Sequence, residues 1–187
     1  EKILQTPVEG MFIGTFHSIG AKFLRRHASF LNLKSDFTIL DSEDQLRLLK
    51  QVINSLDLDT KLHVPKSYLY MIDQLKNHGL SHSEISNHEF EQKTNGKLSV
   101  IYNMYQVRLR NYNSVDFGDL IMLPLEILKK EKELLLNYQK KFKYILVDEY
   151  QDTNASQYML LRLLSGTKKN ICCVGDEDQS IYGWRGA

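Results

Sequence analysis

Between residues 42 and 112 apolar positions recur at helical spacing, while on either side of that block they cluster into short continuous runs. Met11-Phe-Ile-Gly-Thr15 predicts a short buried strand, and Ser18 is placed to cap a helix burying Ile19, Phe23 and Leu24. Thr38-Ile-Leu40 predicts a brief extended piece. Ser42-x-x-Gln45 reads as a capping box opening a helix with Leu46, Leu49, Ile53 and Leu56 on one side. Pro65 suits the first position of a second helix, which carries Leu69, Ile72 and Leu75 and stops at Gly79. Ser81-x-x-Glu84 opens a short third helix, and after the turn Asn95-Gly96 a longer one places Ile101, Tyr105, Leu109 and Tyr112 on one stripe. The block from 42 to 112 contains no strand pattern. Asp116 then begins another helix, which Pro124 breaks or kinks because its ring removes a backbone donor and clashes one turn back. Lys132 to Lys141 is helical again.

The chain then changes character. In Tyr144-Ile-Leu-Val-Asp148-Glu149, four apolar residues run straight into adjacent carboxylates. A buried parallel strand reads as such a run, and functional groups gather where these strands end. Asn170-Ile-Cys-Cys-Val-Gly175-Asp176 repeats the pattern. Two acidic strand ends this close predict one shared site, with Asp148 and Glu149 able to hold a divalent cation and a water. Gln179 follows in the next loop, then Tyr182, Trp184 and Arg185 among glycines. Trp184 is the single tryptophan, and its aromatic face suits either an unpaired base or a gap in a core.

Composition narrows the picture. With 42% hydrophobic and 25% charged residues, the 187-residue chain can bury a real core and is ordinary for a soluble globular protein. Its 24 basic and 23 acidic residues give a net charge of +1, so any nucleic-acid contact has to be a local groove and not a broad electropositive face. Cys172 and Cys173 are adjacent, where strand side chains point to opposite faces, so a disulfide between them would be strained. They read as small buried hydrophobes in a reducing compartment. No apolar stretch reaches the roughly 18 residues needed to span a bilayer, and Glu1 to Pro7 does not look like a signal peptide, which makes the cytoplasm the expected location. His63, His78, His82 and His88 lack ligand spacing and cysteine partners, so no zinc site is expected.

Val147-Asp-Glu-Tyr-Gln-Asp-Thr-Asn154 resembles the DExx box, motif II, of the UvrD/PcrA/Rep-type superfamily 1 DNA helicases. Gly175-Asp-Glu-Asp-Gln-Ser-Ile-Tyr-Gly-Trp-Arg-Gly-Ala187 resembles their motif III, and Gly14-Thr-Phe-His-Ser18 their motif Ib. Phe37 to Asp41 and Val115 to Leu120 are similar to the connecting text of this family. The resemblance implies an α/β fold, a partial RecA-like parallel sheet of the P-loop NTPase type with a large all-helical insertion. Residues 1–41 and 113–187 would be a partial first RecA-like ATPase domain, and 42–112 the helical insertion subdomain.

The implied activity is that of an ATP-dependent 3′→5′ DNA helicase, which couples ATP hydrolysis to translocation on single-stranded DNA and duplex unwinding in repair or replication. Such hydrolysis needs a metal bridging phosphate oxygens and a polarised in-line water. By resemblance, Asp148 coordinates Mg2+, Glu149 activates the water and Gln179 senses the terminal phosphate. Asp176 either joins the metal site or holds its loop. Thr15, His17 and Ser18 are compact hydrogen-bonding groups where a helix begins and amides favour phosphate, with Lys22, Arg25 and Arg26 following. They are expected, with Tyr182, Trp184 and Arg185, to contact single-stranded DNA, and duplex junctions are the expected substrate. Gly183 stands where some members of the family carry a larger residue.

Two other readings share these motifs: a helicase subunit of a RecB/AddA-type helicase-nuclease, and a non-enzymatic DNA- or protein-binding module that kept the fold. The phosphate-cradling pattern Gly-x-x-x-x-Gly-Lys-Ser/Thr does not occur in these residues. Gly96-Lys97 has Glu91 five residues before it and Leu98 after it. The expectation is therefore a middle portion of a helicase, inactive by itself as an ATPase.

Overall fold

The computed structural model describes residues 11–167, 169–180 and 183. It is mostly helical, with two small parallel sheets of two strands each. Helix α1, Phe16–His27, runs into a 3-10 turn at Ala28–Leu31. Strand β1 (Thr38–Ile39) pairs with β2 (Ser114–Val115), Thr38 opposite Ser114. Between them lie α2 (Ser42–Ser55), α3 (Pro65–Asn77), α4 (Glu89–Lys93) and α5 (Lys97–Asn111). After β2 come α6 (Asp119–Lys130), α7 (Lys132–Lys141), β3 (Ile145–Val147), α8 (Ala155–Ser165) and β4 (Ile171–Cys173). Strands β3 and β4 pair in parallel, so α8 is the crossover that parallel neighbours require.

The buried apolar side chains form two clusters among the described residues. One is built from α1, α6, α7 and α8 around Phe23, Leu24, Phe37, Leu120, Leu128 and Leu160. The other lies wholly between Leu48 and Leu109 and centres on Leu49, Ile53, Ile72, Leu98, Ile101 and Tyr105. Residues 42–112 hold helices and turns and, among the described residues, no strand. The start of α3 at Pro65 and the left-handed backbone of Gly79 after its end follow the pattern expected of Pro and Gly. Asn95 and Gly96, at φ 50° and 74°, occupy the left-handed region that Asn and Gly tolerate, turning the chain into α5.

Several local expectations give way to stronger partners. Residues 11–15 form no strand: Met11 and Ile13 are exposed, and Phe12 instead packs edge-on against Phe142 at 5.0 Å between ring centres. Thr15, not Ser18, caps α1, its Oγ1 accepting the Ser18 N–H at 3.2 Å. Asp41, not Ser42, caps α2, because its carboxylate accepts from both Glu43 and Asp44 N–H at 2.9 Å and its charge complements the helix dipole. The buried stripe of α2 is accordingly Leu48, Leu49, Val52 and Ile53, leaving Leu46 outside. Ser81 and Glu84 do not start a helix; the Glu84 carboxylate accepts from the Ser81 N–H and hydroxyl and closes a turn, and the helix opens later behind His88. Tyr112 caps α5 in solvent.

Pro124 neither ends nor interrupts α6, which continues to Lys130. A proline leaves the carbonyl four residues back, here Leu120, without its helical donor. Helix α1 approaches at that point so closely that a Cβ added to Gly20 would stand 1.9 Å from the Leu120 oxygen. A glycine inside a helix costs about 1 kcal/mol relative to alanine, so close packing is the reason for it here. Gly20→Ala is expected to destabilise by about 1–3 kcal/mol, the usual cost of overpacking, read as a lower urea midpoint. An unchanged midpoint would contradict the contact.

The second sheet is less enclosed than its apolar sequence predicts. Val147 is buried, but Leu146 is 82% exposed, and Cys172 and Cys173 are exposed where small buried hydrophobes were expected. Side chains alternate across a strand, which puts Leu146 and Cys172 on the face opposite Val147, while Cys173 shares the Val147 face and is still open to solvent beside the groove described below. No helix among the described residues is long and apolar enough to cross a membrane.

Candidate functional site

The register of β3 and β4 sets Val147 opposite Cys173, so the two acidic runs leave the sheet side by side. The Val174 N–H donates to Val147 O at 2.8 Å and the Tyr150 N–H to Val174 O at 2.9 Å, locking the two exits together. Glu149 sits in left-handed backbone at φ 52°, a conformation that strains a residue with a side chain by about 1–3 kcal/mol. A 3-10 turn, Tyr150–Asp152, follows.

Gln151 joins the two carboxylate clusters. Its Nε2 donates to Glu149 Oε2 at 2.7 Å, while its Oε1 accepts the Asp176 N–H at 2.9 Å. A Cβ on Gly175 would stand 2.7 Å from that Oε1, so a larger residue there would push the Gln151 amide aside. Asp176 in turn accepts from the Asp178 N–H at 3.0 Å and from Gln179 Nε2 at 2.7 Å. Glu149, Gln151, Asp176 and Gln179 are thus one hydrogen-bonded chain across both strand ends. Asp148 Oδ1 accepts the Glu149 N–H at 2.9 Å, and its other oxygen has no hydrogen bond to a described residue.

An open groove of about 640 Å³ borders this chain, lined by Tyr150, Asn154 and Tyr158 on one side and by Asp176 and Glu177 on the other. Gln151 lines it too; Asp148 and Glu149 stand outside its wall. No group of three or more His, Cys, Asp or Glu among the described residues is arranged to hold a metal by itself. A magnesium ion is commonly held by one or two carboxylates with the remaining positions left to water and phosphate, and exposed Asp148 fits that requirement.

A second group gathers at the start of α1. Ser18 Oγ donates to Thr15 O at 2.9 Å, and its side chain lies over Gly14, where a Cβ would be 2.4 Å from Oγ. The His17 ring stacks on Phe117 with centres 4.1 Å apart and planes at 25°. Tyr182, Trp184 and Arg185 lie outside the described residues.

Sequence reading missed a polar cluster beneath Phe117. Lys76, 1% exposed, sets its Nζ 2.6 Å from Asp116 Oδ2, 2.7 Å from Asp119 Oδ1 and 2.8 Å from Gln106 Oε1. Asp116 and Asp119 also exchange backbone bonds, each N–H donating to the other's carboxylate, so α6 begins at Asp119 and not at Asp116. Burial, and then the charge of Asp116, push the Asp119 carboxyl up against the pull of Lys76. Burial alone would lower the Lys76 ammonium, but the two carboxylates outweigh it and hold it protonated. The signal was Lys76 falling four residues after Ile72, on the buried stripe of α3.

The chain matches the UvrD/REP helicase N-terminal domain from residue 1 to residue 187. It is 46% identical over 180 residues, 95% of its length, to a probable DNA helicase II homolog of Rickettsia felis. It is 42% identical over 186 residues to DNA helicase II of Haemophilus influenzae, and 40% identical over 187 residues to the ATP-dependent DNA helicase PcrA of Staphylococcus aureus, in both cases over 100% of its length. It spans 28%, 25% and 26% of those relatives. Coverage of the whole chain, with the motif residues in place, makes this protein a member of the UvrD/REP helicase family through its N-terminal domain.

Proposed function

We propose that these residues carry the hydrolytic centre and part of the DNA grip of an ATP-dependent DNA helicase, within a longer protein that moves 3′→5′ on single-stranded DNA and unwinds duplex in repair or replication. The observation that carries this reading is the hydrogen-bonded chain from Glu149 through Gln151 and Asp176 to Gln179. In it a base, an amide that can report a terminal phosphate, and the residue linking them are held by consecutive hydrogen bonds. The names of the three relatives above, each a DNA helicase II or an ATP-dependent DNA helicase, support the same reading.

Within it, β3 and β4 belong to the parallel sheet of a RecA-like domain formed by 1–41 and 113–187, and 42–112 is a helical insertion, supported by its separate apolar cluster. Asp148 holds Mg2+, which when bound offsets charge on the phosphates. Glu149, turned by its left-handed backbone, accepts the proton of the attacking water, and Gln179 contacts the terminal phosphate. Asp176 orients Gln179 and Gln151, which favours a loop-holding role over metal ligation. Thr15, His17 and Ser18 face the DNA backbone at the start of α1, with Tyr182, Trp184 and Arg185 completing the grip.

The DNA arm of this reading is tested with Trp184→Ala in the longer protein. One stacked base contributes about 1–3 kcal/mol, so single-stranded DNA binding is expected to weaken by about 5- to 150-fold with ATP affinity little changed. Unaltered affinity and unwinding would assign Trp184 to a core.

A further inference from the structure

Lys76 and Asn77 are consecutive, at the end of α3, yet they reach two different parts of the candidate site. Lys76 grips Asp116 and Asp119 through its buried Nζ, and Tyr105 reinforces Asp116 with its hydroxyl at 3.0 Å. Phe117 stands between those aspartates and carries the stacked ring of His17. Asn77 Oδ1 accepts from Asn154 Nδ2 at 2.9 Å. Asn154 ends the acidic run that starts at Asp148 and caps α8, the helix joining β3 to β4.

The polarity of the Asn77–Asn154 bond is fixed by its surroundings. Asn154 Oδ1 already accepts from the Gln157 N–H at 3.0 Å and from Ser156 Oγ at 2.9 Å. Only its amino group is left for Asn77, so Asn77 has to present an acceptor. One dipeptide of the helical block thereby ties the His17 contact, through a buried ion cluster, to the loop that follows Glu149.

Building on the functional reading above, we propose that Lys76-Asn77 is a positioning pair that couples single-stranded DNA at His17 to the hydrolytic loop, so that DNA stimulates ATP hydrolysis through it. Lys76 is the fixed anchor: its charge is enclosed, and the aspartates it holds set the place of Phe117. Asn77 is the moving contact, half-buried and held by a single neutral bond that is made or broken as the loop shifts.

The test uses the longer protein and a single-stranded oligothymidylate, with kcat and KM for ATP measured without DNA and at saturating DNA. Asn77→Ala removes the acceptor; Asn77→Asp keeps it, while its charge at a helix C-terminus lowers thermal stability slightly. Asn77→Ala is expected to reduce the DNA stimulation of kcat by at least about fivefold, the smallest coupling usual between linked sites, with DNA-free kcat, KM and oligothymidylate affinity within about twofold of wild type. Asn77→Asp is expected to restore the stimulation despite its lower melting temperature, which a merely structural role would not do. Stimulation within twofold of wild type in Asn77→Ala, or equal loss in both variants, overturns the coupling while leaving the functional reading intact. A wild-type protein that oligothymidylate does not stimulate overturns the functional reading, and the coupling with it.

Discussion

Glu149→Gln in the longer protein is expected to lower ATP hydrolysis by about 10²- to 10⁴-fold, the usual contribution of a general base, with ATP affinity within a few-fold of wild type. The amide keeps the volume of the side chain and an oxygen that can accept from Gln151 Nε2, so the link to Asp176 and Gln179 survives. What is lost is the capacity to take a proton. The left-handed backbone at φ 52° is consistent with the same argument, since strain of this kind is found where a side chain has to be aimed. Phosphate release and binding of a fluorescent ATP analogue separate the two effects. Near-normal turnover in the variant would make Glu149 a structural strand-end residue.

Lys76→Met is expected to destabilise the 187-residue chain by about 3–5 kcal/mol, the cost of removing one partner from a buried ion pair. Methionine replaces the length of the side chain but leaves Asp116 and Asp119 enclosed without a cation. The loss has a pH dependence of known sign. Asp119 is already pushed up by burial and by Asp116, and without Lys76 it rises further. A carboxyl raised in the folded state favours folding at low pH, and that contribution disappears as pH climbs through its folded pKa. The variant should therefore lose least near pH 4 and most at neutral pH. Urea unfolding at both values checks this, and a loss below about 1 kcal/mol at neutral pH would contradict the ion cluster.

How much of this could be read from the residues depends on how local each cause is. Pro65, Gly79 and Asn95-Gly96 act through their own backbone, so the ends of α3 and the start of α5 were legible. The acidic strand ends were legible because an apolar run stopping at carboxylates is a local pattern as well. Caps were harder, since neighbouring residues compete: Asp41 against Ser42, and Thr15 against Ser18, differ by which oxygen reaches the amides first. Ser81 and Glu84 carry the right spacing for a capping box but satisfy each other in a turn. The apolar run Tyr144 to Val147 predicted burial on both faces, yet burial depends on which elements cover the sheet, which no strand can encode alone. Gln151, Lys76 and Asn77 were missed because their partners are brought together only by folding. Asn77 and Asn154 are 77 residues apart in the chain, and no periodicity reports such a pair.

Steady-state phosphate release by the longer protein, with and without saturating single-stranded DNA, tests the central claim most directly. The account predicts Mg2+-dependent ATP hydrolysis that rises several-fold when DNA is added. Hydrolysis indifferent to single-stranded DNA, or no hydrolysis under either condition, would contradict it.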